Sequence, residues 1–405
     1  MSNERGIWVW INERLPVSGF LKASMTEYYA PKNFNFWYFF GSLALLVLVM
    51  QIFSGIFLLV HYYSGADQAF DSVQGIMFDV KWGWLVRYIH TTGATMFFLV
   101  IYLHISRAFL YGSYRKPREL LWIFGWIIYI VLMAEAYLGY VMPFGNMSYW
   151  GGEVITAIIG AIPGIGDWLV SIVRGGPGFG GATLTRFMAW HVAFIPLLLI
   201  VIVVLHLVAL HTVGSNNPDG IEISKKLNAD GRPLDGIPFH PYYTVKDIYG
   251  VGVFLTLFAM IVLFAPTLNG LIIESDNYIP ANYLQTPPDV TPAWYLSPYY
   301  AILRSIPEKG LGIIMLGLSI ILPFFLPWLD RCPAKSVRYR PVYFVMLILL
   351  AIAILVLGWI GLQPASPALL PYARVALAVY FGFFILLPII SKFEPVRPVP
   401  DRVRS

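Results

Sequence analysis

Four histidines lie deep inside two long apolar runs of this 405-residue chain. His90 and His104 occupy one run, and His191 and His206 occupy the other. An ionisable side chain at such depth is costly to bury and usually marks a function. The separations of 14 and 15 residues correspond to about 21 and 22 Å along a helix, which is nearly the thickness of a membrane.

Each histidine pair stays on one broad face of its helix. At about 100° per residue, the two separations give net rotations of roughly −40° and +60°. Two such helices side by side would oppose His90 to His191 near one membrane surface, and His104 to His206 near the other. Two opposed imidazoles are typical axial ligands of a haem iron that carries electrons, because no position is left open for oxygen.

Zinc binding and simple core packing fit these histidines less well than haem does. A structural zinc ion prefers four close ligands, and each cluster offers two. Single hydrogen-bonded core histidines are common, but a matched double pair is not. We therefore predict two non-covalent haem groups, one for each pair.

Glycines and arginines repeat the spacing of the histidines. Two neighbouring runs carry glycines 14 residues apart: Gly41 with Gly55, and Gly125 with Gly139. A glycine opposite each ligand layer would let a flat macrocycle approach the backbone, although glycine also serves helix packing alone in membranes. Arg87 and Arg107 lie three residues from His90 and His104, where they could bond haem propionates or act as snorkelling anchors.

Lipid must be the main solvent of these elements, because 58% of the residues are hydrophobic and only 12% are charged. Eight apolar runs are long enough to cross a bilayer core of about 30 Å. They lie at roughly 36–60, 83–110, 120–141, 184–210, 246–266, 309–328, 341–360 and 372–391. We predict an all-α integral membrane protein with eight transmembrane helices, of which the first four form a dihaem four-helix bundle.

Basic residues are unevenly divided between the two sides of this arrangement. The two terminal segments and the connections on the same side of the membrane contain 19 Lys and Arg residues. The connections on the other side contain five. The positive-inside rule then predicts cytoplasmic termini. The net charge of +5 reflects this topology and does not indicate nucleic-acid binding. Cys332 is the only cysteine, which excludes a disulfide scaffold, and the basic arm before the first run does not resemble a cleavable signal peptide.

Two connections on the outer side are long. Residues 142–185 include a predicted short helix over 154–162, and residues 267–308 are rich in proline and aromatics. Long ordered loops of this kind are often lids or sites, with a plain linker as the alternative. The predicted division of the chain is an N-terminal dihaem domain at 1–215, a cytoplasmic connection at 216–245, and a C-terminal four-helix domain at 246–405.

Motifs spread over about residues 30–390 point to one family. They are "FGSL", "RYIHTTGA", "GYVMPFGNMSYWGG", "ATLTRF", "HTVGSNNP", "HPYYTVKDI", "FAPTLNG" and "PAWY". Together they resemble cytochrome b of the quinol:cytochrome c reductase, complex III. The resemblance implies that quinol is oxidised at an outer site, with one electron leaving to a Rieske-type iron–sulfur protein and a c-type cytochrome. The other electron would cross two b haems to quinone at an inner site, contributing to the proton gradient.

The resemblance also implies which haem is which. The haem of His90 and His191 would be the outer, low-potential one, and that of His104 and His206 the inner, high-potential one. Ubiquinone as substrate and a dimeric complex follow as further expectations. The photosynthetic relatives share the 15-residue spacing but split the protein in two and carry an extra covalent haem. The fused halves and the lack of cysteine near residues 33–35 indicate a bacterial respiratory type in the inner membrane.

The inner quinone site carries over as His211, Lys246 and Asp247. Quinone reduction needs two protons from the inner aqueous phase, and a His with an Asp near the interface can relay them. Without the resemblance, a basic interfacial loop explains these residues equally well.

The resemblance also implies an outer quinol site in this chain, with one departure from the family's usual motif. Its residues would be Tyr140, Gly151, Pro292, Trp294, Tyr295 and Tyr300. The common motif PEWY has a glutamate that accepts a proton from quinol, and this chain has Ala293 there. We hypothesise that Glu153 takes that role, with strong slowing expected for Glu153→Gln; the alternative is a carboxylate that favours the dipole of the short outer helix.

Glu135 is a second unusual carboxylate, four residues before Gly139 and hence on the haem-facing side. It is interpreted either as a neutral acid bonded to a neighbour or as part of a proton path. Two different functions also stay open on the residues alone. One is a transporter that relays protons through the buried His and Glu residues, and the second is a dihaem anchor that connects a dehydrogenase to quinone.

Overall fold

The computed structural model describes residues 7–15, 18–19 and 22–404. Eight helices in this part of the chain are long and apolar enough to cross a membrane. They are Phe36–His61, Gly83–Tyr111, Glu119–Val141, Gly181–Val213, Phe239–Phe264, Lys309–Leu329, Pro341–Gly361 and Leu370–Phe393. The predicted helical membrane fold is therefore confirmed. Arg5, which enters the charge count, lies outside the described residues.

The fourth span is not a uniform α-helix. It consists of the α-helix Gly181–Ala189, the π-helical turn Trp190–Phe194 and the α-helix Ile195–Val213. The π turn contains His191 and takes up one residue more than an α-helical turn. The 15 residues from His191 to His206 therefore cover about the same rise and rotation as the 14 from His90 to His104, so the two histidine layers stay in register.

The first and sixth spans also contain tighter turns. The first begins with the 3₁₀ turn Phe36–Tyr38 and continues as Phe39–His61, and the sixth runs through Lys309–Ile321, Leu322–Phe325 and Leu326–Leu329. The shorter helices are Ile7–Arg14, Ala69–Phe78, Asn146–Gly160, Gly166–Arg174 and Ser297–Arg304.

Three details differ from the sequence-based expectation. The first outer connection holds two helices, Asn146–Gly160 and Gly166–Arg174, rather than one over 154–162, because the Pro-Gly pair at 163–164 breaks the helix only after fifteen residues. The fifth span begins at Phe239 rather than at residue 246. Strand Tyr29–Pro31 pairs antiparallel with strand Gly236–Pro238, which ties the N-terminal arm to the inner connection.

Both halves of the chain contribute to one hydrophobic core, which extends from Leu43 in the first span to Leu387 in the eighth. Hydrogen-bonded tyrosines join the halves inside it. The hydroxyl of Tyr129 lies 3.1 Å from that of Tyr102 and 2.8 Å from that of Tyr299. The connection at 216–245 between two domains remains a prediction, because both halves of the chain pack into one core without a boundary between them.

A buried ionic cluster, the Arg340 cluster, joins the ends of the last three spans. Arg340 Nη1 lies 2.7 Å from Asp330 Oδ2, and Arg340 Nε lies 2.7 Å from Glu394 Oε1. All three side chains are 0% exposed. Tyr114, in the connection after the second span, donates a hydrogen bond of 2.6 Å to Asp330. The cluster therefore fixes four segments on the side that carries most basic residues.

Candidate functional site

The structure brings the four membrane histidines together in two pairs. The ring centroids of His90 and His191 are 6.1 Å apart, with the ring planes at 87°. Those of His104 and His206 are 6.4 Å apart, with the planes at 63°. Each gap has room for one iron with metal–nitrogen bonds of about 2 Å. The pairing expected from helical geometry is thus present.

Each of the four glycines faces one of these imidazoles. An added Cβ would lie 3.3 Å from His104 Cε1 at Gly41, 3.2 Å from His90 Cε1 at Gly55 and 3.2 Å from His206 Cε1 at Gly125, and would overlap the His191 ring at Gly139. The sequence-based expectation was that the glycines admit the macrocycle. In the structure, they provide the space that the ligand rings themselves occupy.

We expect Gly139→Ala to weaken haem binding selectively at the predicted outer site. A methyl group at this position overlaps the ring of His191 and must displace it. Disturbing the support of a ligand typically costs about 10–100-fold in metal affinity. Haem titration of the apo-protein, followed optically, should show weakened binding at one of the two predicted haem sites. The matched control is Gly252→Ala in the fifth span, where an added Cβ meets no described atom within 4 Å; equal losses in both variants would contradict the prediction.

The outer pair is supported by hydrogen bonds at Nδ1. His90 Nδ1 lies 2.9 Å from Ser54 Oγ. His191 Nδ1 lies 3.0 Å from the backbone carbonyl oxygen of Glu135 and 3.1 Å from its carboxylate oxygen Oε1. Glu135 is therefore beside an imidazole of the outer pair, on the side that the sequence predicts to face a haem. Such acceptors fix the orientation of a ligating imidazole and raise its basicity.

The inner pair has less support. Among the described residues, no hydrogen-bond partner reaches His104 Nδ1, and His206 is supported by the backbone of Leu121 without a carboxylate or hydroxyl group at Nδ1. The inner imidazoles are therefore expected to be less basic ligands than the outer ones.

Each histidine pair lines its own cavity. The outer cavity, of about 360 Å³, includes Arg87, His90, His191, Tyr140, Glu274, Ala293 and Tyr295 in its lining. The inner cavity, of about 710 Å³, includes Arg107, His104, His206, His211, Lys246 and Asp247. Both volumes lie in the range of about 300–1,000 Å³ for ligand sites.

The two buried arginines fit an anionic group in each cavity. Arg87 is 5% exposed, and its Nη1 has no hydrogen-bond partner among the described residues. Arg107 Nε likewise finds none within the described chain, and the guanidinium lies 5.0 Å from the ring centre of Tyr38. A buried donor left unpaired is costly. Paired imidazoles, small residues behind them and guanidinium groups that each have one unpaired nitrogen together fit a haem with propionates.

The predicted inner-site residues lie together in the inner cavity. His211 ends the fourth span, while Lys246 and Asp247 belong to the fifth. Sequence reasoning missed Tyr28, whose ring lies 4.8 Å from that of His211 and whose hydroxyl lies 2.8 Å from Ser215 Oγ. No local signal in the sequence connects the N-terminal arm to this site.

Only part of the predicted outer site lines the outer cavity. Tyr140 and Tyr295 do, and Gly151 lies behind Tyr140, since an added Cβ would be 3.3 Å from Tyr140 Cε1. The Tyr295 ring stacks on Phe98 with centroids 3.9 Å apart and planes at 2°. Tyr102 donates a hydrogen bond to the carbonyl oxygen of Tyr295. The end of the PAWY motif is therefore held firmly against the second span.

Pro292, Trp294 and Tyr300 are not among the described residues that line this cavity. The Trp294 ring lies 6.1 Å from that of Tyr102, and its buried Nε1 has no partner within the described ranges. Tyr300 packs under Arg304, with 4.7 Å from guanidinium carbon to ring centre. These residues are positioned to shape the loop rather than the cavity wall.

Glu153, hypothesised as a proton acceptor, is bound elsewhere. Its Oε2 lies 2.6 Å from Arg174 Nη2, and Arg174 Nε also donates to Thr156 Oγ1 at 2.9 Å. Glu153 is not part of the described lining of the outer cavity, whereas Glu274 is. Sequence reasoning missed Glu274. The available signal was a single acidic residue directly after the apolar "LII" in the long outer connection.

Comparison with known proteins agrees with this arrangement. The family model described as cytochrome b/b6/petB matches residues 25–214, and that described as cytochrome b(C-terminal)/b6/petD matches residues 280–381. Cytochrome b of Allochromatium vinosum is 50% identical over 405 residues, which cover 98% of each chain. Cytochrome b of Rickettsia prowazekii is 47% identical over 396 residues, which cover 98% of this chain and 96% of the relative.

Solved structures give the same result. A chain from a hyperthermophilic respiratory complex III is similar with a TM-score of 0.88 and 39% identity, covering 95% of this chain and 99% of that chain. The resemblance drawn from the motifs is confirmed by both halves of the sequence and by the fold. This chain belongs to the cytochrome b family.

Proposed function

We propose that the protein is the catalytic cytochrome b subunit of a bacterial ubiquinol:cytochrome c oxidoreductase that works by a Q cycle. The observation that carries the proposal is the opposition of His90 to His191 and of His104 to His206, one pair in each of two cavities. Membership of a haem b family and the similarity to a respiratory complex III support it.

The four imidazoles would hold two haems b as axial ligands, with Arg87 and Arg107 beside the propionates. When bound, such a haem supplies one-electron chemistry without an open iron position. The chain itself contributes orientation and charge. Ser54 and Glu135 accept from the outer imidazoles, which favours oxidised iron and supports a lower potential on the outer side. This asymmetry would direct electrons inward.

The inner cavity is suited to reducing quinone. His211 and Lys246 are exposed and Asp247 is half-buried, so these side chains border both the cavity and the inner aqueous phase. Reduction of quinone to quinol takes up two protons, and His211 with Asp247 can pass them from that phase. Lys246 would favour the negative charge that develops on the quinone oxygens.

The outer face offers a surface for partner proteins. Ile165, Trp168 and Ile172 on the second outer helix are 53%, 64% and 45% exposed. An apolar surface of this kind favours protein contact, which supports docking of a Rieske-type iron–sulfur protein beside a c-type cytochrome. The excess of basic residues on the opposite side supports an inner-membrane location with cytoplasmic termini. Assembly as a dimer of the complex remains part of the proposal.

Redox titration of the purified complex tests this function. We expect two b-type midpoints, and reduction of the haems by quinol through two routes that different site inhibitors block. A protein without b-type absorption bands would be a candidate transporter. A dihaem protein that never retains an iron–sulfur protein and a c-type cytochrome would instead be an anchor for a dehydrogenase.

A further inference from the structure

Oxidation of quinol in the outer cavity requires a base. Two O–H bonds break, and the protons leave a site whose walls are largely apolar. Ala293 lines the cavity, but its methyl group cannot accept a proton. Glu153 has its carboxylate on Arg174, outside the described lining. The chain must therefore supply the base from another position or leave the step to its partners.

Two carboxylates of the described residues line this cavity, Glu135 and Glu274. Glu135 lies 3.1 Å from His191 Nδ1, so Glu274 is the one of the two without an imidazole partner. It shares the lining with Tyr140, Ala293 and Tyr295. Asn277 Nδ2 donates to Glu274 Oε2 at 2.9 Å and lies 3.3 Å from the Tyr140 hydroxyl oxygen. One amide therefore holds the carboxylate beside the tyrosine at the end of the third span.

The turn that carries Glu274 is anchored to the first outer helix. Asn277 Oδ1 accepts from the backbone N–H of Ser148 at 2.7 Å, and the N–H of Asn146 donates to the Ile279 carbonyl oxygen at 3.0 Å. Asn277 is 6% exposed. A base on a fixed turn keeps its position relative to a bound quinol, which general base catalysis requires.

The charges around Glu274 favour proton uptake. Among the described residues, no Lys, Arg or His forms an ion pair with it. The titratable groups that act on it are Tyr140 and Tyr295, with Asp276 in its own turn. Arg87, His90, His191 and Glu135 line the same cavity. Burial, more than the charge of Asp276, raises the pKa of the Glu274 carboxyl. A carboxylate without a counter-ion in such a place binds a proton more readily than one in water.

The same turn leads to the outer surface. Ser275 is exposed and Asp276 is half-buried, and Ser275 Oγ lies 3.3 Å from Asp276 Oδ1. A proton taken up by Glu274 from the cavity therefore has polar groups between it and the outer water. A group that accepts a proton from the substrate and releases it to water must be in reach of both the substrate and the solvent.

We propose that Glu274 accepts one of the two protons of quinol in the outer cavity and releases it to the outer aqueous phase. The inference rests on the proposed function. Quinol gives up two electrons, one at a time, to ferric one-electron acceptors. As one quinol O–H bond breaks, its proton forms the O–H bond of the Glu274 carboxyl group. The second O–H bond breaks as its proton passes to a base on the iron–sulfur partner, which also takes one of the two electrons, and quinone remains.

The test uses the intact complex with Glu274→Gln, which keeps the size of the side chain and an oxygen for Asn277 but removes the base. We expect kcat for quinol oxidation to fall about 10²–10⁴-fold, with little change in KM. In the wild type, kcat should fall as the pH drops through the raised pKa of Glu274, because only the carboxylate accepts a proton. Glu274→Gln should lack this acid limb, and Glu274→Asp should restore part of it.

A matched control is Asp289→Asn, an exposed carboxylate of the same outer connection that does not line the cavity. It should keep wild-type turnover and pH dependence. In Glu274→Gln, haem spectra and haem reduction through the inner site should be unchanged. This result would show that the complex is intact. The proposal is overturned if Glu274→Gln turns over within twofold of wild type or retains the acid limb. It is also overturned if Glu153→Gln slows quinol oxidation and Glu274→Gln does not. Failure of the wild type to reduce its haems with quinol would instead refute the proposed function.

Discussion

Replacing His104 by leucine should lower the haem content of the purified protein from two per chain to one. Leucine fills a similar volume but offers no donor, so His206 alone remains at the inner site, 6.4 Å away in the wild type. The predicted inner haem would lose one of its two axial ligands, so we expect it not to be retained. The outer pair lies about 21 Å along the helix from the change and keeps Ser54 and Glu135.

Haem per chain, measured by the pyridine haemochrome method against protein concentration, checks this result. The control is His61→Leu, since His61 ends the first span and its ring packs against Phe57 at 5.3 Å instead of another imidazole. His61→Leu should keep two haems. Two haems in His104→Leu, or one in His61→Leu, would show that the imidazole pairs do not hold the cofactors. Loss of both haems from His104→Leu would show that the two sites fold as one unit.

Replacing Arg340 by methionine should destabilise the protein by about 3–5 kcal/mol, because it leaves buried carboxylates without their cation. Asp330 and Glu394 are both 0% exposed, and Arg340 bonds to each at 2.7 Å. Among the described residues, Arg115, at 3.6 Å, is then the remaining cation near Asp330. Unfolding in detergent, followed by the loss of haem absorption with denaturant, gives the free energy difference.

An exposed ion pair provides the comparison for the Arg340 cluster. Lys22 and Glu27 approach to 3.1 Å, but their side chains are 67% and 57% exposed. Glu27→Ala should change the stability by no more than about 1 kcal/mol, because solvent screens such pairs. If Arg340→Met unfolded at the same denaturant concentration as Glu27→Ala, burial would not govern the strength of this cluster.

The spans and the imidazole pairs could be predicted because both depend on short-range regularity. A run of about 20 apolar residues identifies a span without reference to the rest of the chain. The separation of His90 and His104 becomes a rise and a rotation by helical geometry alone. Four glycines at the same 14-residue interval then indicated which two helices face the histidines. What these glycines touch was not predictable, since it depends on the rotamer of a ring on another helix.

The parts that sequence reasoning missed depend on which distant segments meet. Glu274 reaches the outer cavity only because Asn277 is anchored to the backbone N–H of Ser148, 129 residues earlier. Tyr28 reaches His211 because a strand of the N-terminal arm pairs with the inner connection. The π turn around His191 was visible only as a 15-residue separation. Its cause, one extra residue in one turn, is a property of the backbone.

The distribution of the site residues along the chain has a consequence for biosynthesis. All four ligand imidazoles and the glycines behind them come before Gly214, whereas Glu274 and Tyr295 come from the connection after the fifth span. Because a ribosome delivers the chain from its N terminus, both imidazole pairs can meet before the outer cavity has its remaining wall. If haem binds as proposed, it could therefore enter through a side of the first four spans that is still open, and the later segment would cover that side when Tyr102 engages the backbone of Tyr295.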